Sequence, residues 1–140
     1  MLTETELLCQ PHDAYMNASQ QAFFRALLQA QRADLQQRIA DEFEGLRDVQ
    51  PTSDPADLGS AEEQRQWQLR VLEREKKLID KIDEALDRLA RGEYGWCMDT
   101  GEPIGLQRLL LRPTAALCIE AKERQEQREK HINSRGNQNG

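Results

Sequence analysis

Apolar residues recur along the first half of the chain at Phe24, Leu28, Leu35, Ile39, Phe43 and Leu46, separated by three, four or seven positions. Residues so spaced share one face of a 3.6-residue helix, so the pattern predicts an amphipathic helix from Asn17 to about Asp48 with a narrow apolar stripe. Asn17 and Gln20 make a capping pair at its start. A second stripe, Val71, Glu75, Leu78, Ile82, Ala85 and Leu89, advances by alternating fours and threes and predicts a coiled-coil seam on a helix from about Pro55 to Arg91. Gly92 directly follows and supplies a C-terminal stop. Between the two lies VQPTSDPADLGS, residues 49 to 60, where two prolines and a glycine require a turn.

Each helix is a little over roughly 30 residues, or close to ~50 Å. Matched lengths, a short turn and narrow stripes predict an antiparallel hairpin, a rod that displays its turn at one end. Beyond Gly92 the periodicity breaks into short pieces around Gly95, Gly101, Pro103, Gly105 and Pro113, as in a small loop or hairpin module. Helical character resumes in AALCIEAKERQEQREKHI. The expected fold is mainly α: a long antiparallel coiled-coil hairpin over 17–91 with its tip near 50–59, joined to a small globular domain over 92–131 with a metal-free, zinc-ribbon-like module and a C-terminal helix. Residues 1–16 are expected to pack on the globular domain, and 132–140 to form a disordered tail.

Composition narrows the function. With 140 residues, 38% hydrophobic and 31% charged, the chain can build one modest core but suits exposed helices. A net charge of -6 disfavours capture of duplex DNA and points to a protein partner. No apolar run is long enough to span a bilayer, and MLTETELLCQ lacks the basic start of a signal peptide, so a cytoplasmic location is expected. Three cysteines, an odd number, argue against a disulfide framework. Phosphate-binding loops, nucleophile elbows and HExxH zinc motifs are absent, and the histidines are His12 and His131, so an enzyme is not expected.

Two stretches carry candidate chemistry. In the first, Cys97 and Cys118 stand where the two pairs of a four-cysteine zinc ribbon would begin, but Thr100 and Ala121 occupy the second positions. Thr100 is a poor zinc ligand and Ala121 cannot bind. Asp99, Glu120, or Cys9 with His12 could in principle rebuild a site. The stronger reading fills the metal position by packing, with Trp96, Ile104, Leu106, Leu109 and Leu117 available for it; a redox-responsive thiol pair is a lesser one. In the second stretch, SDPAD, Asp54 suits an N-cap, Pro55 the first helical position and Asp57 the third. On a hairpin rod the same carboxylates also stand far from the globule, where they could enter a narrow cleft. The cations of LRVLEREKKLIDK read by themselves as a solvated helix face.

Taken together, YMN at 15–17, DPAD at 54–57, REKKLIDKI at 74–82, GEYGWC at 92–97, GEPIGLQRL at 101–109 and RPTAALCIEAK at 112–122 resemble the DksA/TraR family of bacterial transcription regulators over nearly the whole chain. That resemblance implies a protein that binds RNA polymerase by passing its hairpin into the secondary channel. It would act with the alarmone ppGpp to repress ribosomal RNA promoters and activate amino-acid biosynthesis promoters. The family's tip aspartates match Asp54 and Asp57, and a functionally important alanine is replaced by Gly59. Residues lining the shared ppGpp site match Leu78, Lys81, Arg112 and Lys122, and basic polymerase contacts map to Arg70 and Arg74. The zinc ligands match Cys97, Thr100, Cys118 and Ala121, a half-set that resembles zinc-independent paralogues. Zinc is therefore not expected, ppGpp is expected as co-regulator without a permanently bound cofactor, and a monomer without sequence-specific DNA binding is implied. Two competing readings are a Gre-like transcript-cleavage factor and a helical-hairpin adaptor with no polymerase role.

Overall fold

A computed structural model describes residues 1–47 and 55–138. Its helices are α1 (Glu4–Leu8), α2 (Ala18–Arg47), α3 (Pro55–Arg91), α4 (Leu106–Leu111) and α5 (Ile119–Gln138), with a 3-10 turn at His12–Ala14. Among the described residues the only β pairing is one antiparallel bridge, Trp96 to Pro103. The chain is mainly helical, and α2 packs along α3 as the long hairpin that the two stripes predict.

Both ends of the rod are set by local chemistry. Asn17 Oδ1 accepts from the Gln20 N–H at 2.9 Å, while the fully buried Gln20 side chain reaches back to the Met16 N–H at 2.8 Å. This is a capping box displaced by one residue, and it fixes how the lead-in enters α2. At the other end Gly92 takes φ +76°, its N–H donates to Leu89 O at 3.2 Å, and the Glu93 N–H donates to Arg88 O at 2.8 Å. These two bonds form a Schellman motif, which stops α3 where the glycine predicts.

The seam departs from the predicted register. Leu72, Ile82, Ala85 and Leu89 are buried, and Ile79 and Leu86 are packed partly against the core, but Leu78 is 42% exposed. Leu72, Ile79 and Leu86 form a second heptad series interleaved with the predicted one, and this series, rather than Leu78, is turned toward the core. On α2, Phe24, Leu28 and Leu35 are buried, whereas Phe43 is 51% exposed. The apolar stripe thus thins toward the distal end. Among the described residues α2 has 30 residues and α3 has 37.

The main core lies at the base of the rod. Leu7 of α1, Met16, Phe24 and Leu28 meet Ala85, Leu89, Tyr94, Cys97, Ile104, Leu109 and Ala121 in one cluster. α1 packs on α4, which places the first residues of the chain against its C-terminal third. Trp96 does not fill this core: it is 39% exposed and lies edge-on to Tyr15 at 5.2 Å between ring centres. Tyr94 takes the inward position, because the sharp turn at Gly92 points it back at Phe24. α5 continues to Gln138, so the boundary drawn at residue 131 from composition falls inside a helix. Glu126 and Lys130, four apart with the acid first, support that continuation.

Midway along the rod, Arg32 Nε meets Asp83 Oδ1 at 2.6 Å and its Nη2 meets Oδ2 at 3.3 Å, an exposed clamp between the two helices. Farther out, Glu75 is buried in the seam beside Glu42, and the Oε2 atoms of both lack a hydrogen-bond partner. Burial, the Glu75 carboxyl as hydrogen-bond partner and its negative charge raise the Glu42 pKa; Arg38 and Arg74 act in the opposite direction. As a carboxylate Glu42 cannot donate, and its protonation supplies the missing donor.

Glu42 titrates higher in the folded rod than in the unfolded chain. Its stabilisation is therefore full below the unfolded glutamate pKa and is lost as pH rises through the folded value. Glu42→Gln is expected to melt above the parent chain at neutral pH, with the difference closing as pH falls toward the carboxyl range. Thermal melts followed by circular dichroism across pH check this; a constant difference would contradict it.

Candidate functional site

The ribbon begins where α3 ends. Residues 95–104 fold back on themselves, with the Ile104 N–H donating to Gly95 O and the Cys97 N–H to Glu102 O, both at 2.8 Å. The Gly101 N–H closes the tip by donating to Cys97 O at 2.9 Å. Gly95 has φ +94°, and a Cβ on it would stand 2.7 Å from Met16 Cγ, so a glycine is required there. The fold back is clamped by Tyr15, whose hydroxyl donates to Gly95 O and accepts from the Gly105 N–H at 3.0 Å.

The four ligand-matched positions come together at this turn, but they do not make a zinc site. Cys97 is 3% exposed and Cys118 is half-buried. Burial works against a Cys97 thiolate, but the Thr100 hydroxyl and the N–H groups of Cys118, Thr100 and Asp99 outweigh it and bring its pKa down to about 6. Thr100 Oγ1 lies 4.0 Å from Cys118 Sγ, so one hydroxyl reaches both sulfurs. Ala121 is 1% exposed, and its methyl belongs to the hydrophobic core. Two soft donors, a hydroxyl and a methyl cannot supply the tetrahedral set of a structural zinc, so the residues present do not fit it. Nor is the set rebuilt elsewhere: among the described residues no three His, Cys, Asp or Glu side chains converge, Asp99 pairs with Arg124 at 3.7 Å, and Cys9 is exposed.

Two contacts that periodicity does not reveal join ribbon to rod. Arg88, 6% exposed, donates from Nη2 to Thr114 O at 3.3 Å, and burial lowers its pKa. The Tyr94 hydroxyl donates to Pro113 O at 2.7 Å, and burial raises its pKa far above the ordinary phenol value. Both grip the segment just after Arg112. The signal for Arg88 was its place beside Leu89, one step from the apolar stripe.

The other candidate residues are distributed as follows. Leu78 lines a groove of about 290 Å³ with Leu35, Arg38, Ile82, Pro113 and Thr114, which brings it beside the segment that Arg112 opens. Lys81 and Arg112 are exposed, and neither they nor Lys122 line that groove. Lys122 Nζ donates to Gln125 Oε1 at 3.1 Å on α5. Arg70 and Arg74 are exposed near the middle of α3. Asp54 lies outside the described residues. Asp57 falls in the first turn of α3, which opens at Pro55, and Gly59 follows in the same helix with open space where a Cβ would stand.

A coiled-coil hairpin seated on a ribbon-shaped knuckle with two thiols at its ligand positions is the architecture of a DksA-type transcription factor. Residues 20–89 match the family described as the DnaK suppressor protein DksA N-terminal domain, and residues 92–127 match the prokaryotic DksA/TraR C4-type zinc finger. The chain belongs to the DksA family. It is 41% identical over 119 residues to a Caulobacter vibrioides protein named RNA polymerase-binding transcription factor DksA, covering 84% of each chain. To the Escherichia coli K12 protein of the same name it is 38% identical over 124 residues, 88% of this chain and 82% of that one. The solved structure of transcription factor DksA2 from Pseudomonas aeruginosa superposes with a TM-score of 0.84 at 72% identity, over 92% of this chain and all of that one.

Two substitutions test the site. Gly95→Ala is expected to lower stability by about 1–3 kcal/mol through strain at positive φ and the clash with Met16, read as a drop in Tm. Thr100→Cys with Ala121→Cys restores four thiolates and is expected to bind about one zinc per chain by elemental analysis. Failure to load would show that the packed knuckle no longer has ligand geometry.

Proposed function

We propose that this chain regulates transcription by binding RNA polymerase through the secondary channel and acting with ppGpp, without needing zinc. The observation that carries the reading is the relationship, over 84% and 88% of this chain, to proteins named RNA polymerase-binding transcription factors, combined with a long α2–α3 hairpin above an altered knuckle. The rod supplies reach: α2 alone is about 45 Å long at 1.5 Å per residue. Asp54 and Asp57 would act at its tip near the polymerase catalytic centre, and Arg70 and Arg74 would contact the enzyme along the rod. Leu78, Lys81, Arg112 and Lys122 would line the ppGpp site formed with polymerase, three cations being suited to phosphates.

In this reading the protein works by binding and has no catalytic residues of its own. It acts in the cytoplasm as a monomer, represses ribosomal RNA promoters and activates amino-acid biosynthesis promoters. Zinc independence is supported by the donor set, since packing of Ala121 and Ile104 replaces what two thiolates would have held. A cell short of zinc would keep the regulatory activity.

Transcription in vitro from a ribosomal RNA promoter, with a zinc chelator present, tests this. Inhibition that ppGpp strengthens is expected; Asp54→Asn should lose most of it while still binding polymerase, and unchanged inhibition by that variant would refute the tip role. Gly59→Ala fits the open space at that position and removes a helix-interior glycine, so it should stabilise the first turn by about 0.5–1 kcal/mol and strengthen inhibition.

A further inference from the structure

Trp67 is 60% exposed on α3, on a rod whose own seam is short of apolar residues. It does not stand alone. Trp67, Arg70, Arg74, Leu78 and Lys81 follow one another at steps of three, four, four and three, and all five are exposed. At 3.6 residues per turn they form one stripe spanning roughly a quarter of the helix circumference, on the flank of the seam built from Leu72, Glu75, Ile79 and Ile82. Arg70, Arg74 and Lys81 form no ion pair among the described residues, although the neighbouring Lys77 pairs with Glu73. A cationic strip with an indole at its distal end therefore crosses a protein of net charge -6.

We propose that Trp67 is a further polymerase-contact residue, the apolar anchor at the distal end of this stripe, which together with Arg70 and Arg74 docks on an acidic protein surface of RNA polymerase. The assignment rests on the polymerase-binding reading and adds to it a contact residue nearer the tip than Arg70. Three considerations select the occupant. A second copy of the chain is disfavoured, because a two-fold pairing would set Arg70 and Arg74 against themselves. Interfaces draw most of their affinity from Trp, Tyr and Arg in a desolvated centre, and Trp67 with Arg70 and Arg74 is such a set. Charge complementarity requires carboxylates opposite the stripe, and the stripe is continuous with the rod surface already assigned to polymerase.

The test measures binding of the full-length chain to core RNA polymerase at two salt concentrations. It compares wild type, Trp67→Ala, Trp67→Phe, Arg70→Ala with Arg74→Ala, and Ile132→Ala as an exposed apolar control on α5. Trp67→Ala is expected to weaken binding about tenfold or more at both salts without altering the melting curve, Trp67→Phe to recover part of the loss, and Ile132→Ala to bind as wild type. The arginine pair is expected to lose affinity mainly at low salt. Wild-type affinity in Trp67→Ala would overturn this proposal and leave the polymerase reading standing, whereas no binding by the wild-type chain would overturn both. Duplex DNA binding that disappears with Trp67→Ala would also overturn it, by giving the stripe a nucleic-acid occupant.

Discussion

Everything at the base of this molecule depends on how α3 stops. The two Schellman hydrogen bonds after Leu89 turn the backbone through Gly92 and aim Tyr94 inward. From there its ring meets Phe24 of α2, and its hydroxyl holds the Pro113 carbonyl. Arg88, from the last full turn of α3, holds the next carbonyl, that of Thr114. One helix terminus thus fixes three things together: the end of the rod, the inward side of the ribbon and the path of the segment between α4 and α5. A buried arginine and a buried phenol would be costly there without partners, and the two carbonyls satisfy them.

That anchoring explains how a zinc knuckle can persist when half its ligands are gone. A structural zinc supplies much of the folding free energy in small sites. Here the same stretch is fastened from outside by Tyr15, Arg88 and Tyr94 and is filled inside by Ile104, Leu109 and Ala121. The backbone N–H groups around Cys97 still converge on its sulfur, as donors around a metal-bound thiolate would. With the metal positions taken by a hydroxyl and a methyl, those donors stabilise negative charge on sulfur directly.

The rod was the most legible part of the sequence, because three- and four-residue steps report a helix face whatever it packs on. Register was harder: Leu78 and Ile79 are equally apolar, and only the position of α2 decides that Ile79 turns inward while Leu78 faces the groove. The stop at Gly92, the start at Asn17 and the mainly helical class could all be read from local chemistry. The contacts of Tyr15 could not, since its partners lie 80 and 90 residues away and nothing in its neighbourhood marks them. At the candidate site, the missing ligands were evident at once from the spacing of Cys97, Thr100, Cys118 and Ala121. Which side chains replace them was not, and Trp96 was displaced from that role by Tyr94 because the turn geometry, rather than hydrophobicity, chooses between the two.

The Tyr15 clamp has a consequence for biosynthesis. Its phenol closes the ribbon by joining residues near the start of the chain to Gly95 and Gly105. α2 and α3 make contacts with each other that need only the first two-thirds of the polypeptide. The ribbon has to wait until residue 105 and those beyond it have left the exit tunnel, and its closure then pays the entropy of a long loop already shortened by the folded rod. Translation order therefore makes closure of the knuckle the step that needs the greater part of the chain to have been made.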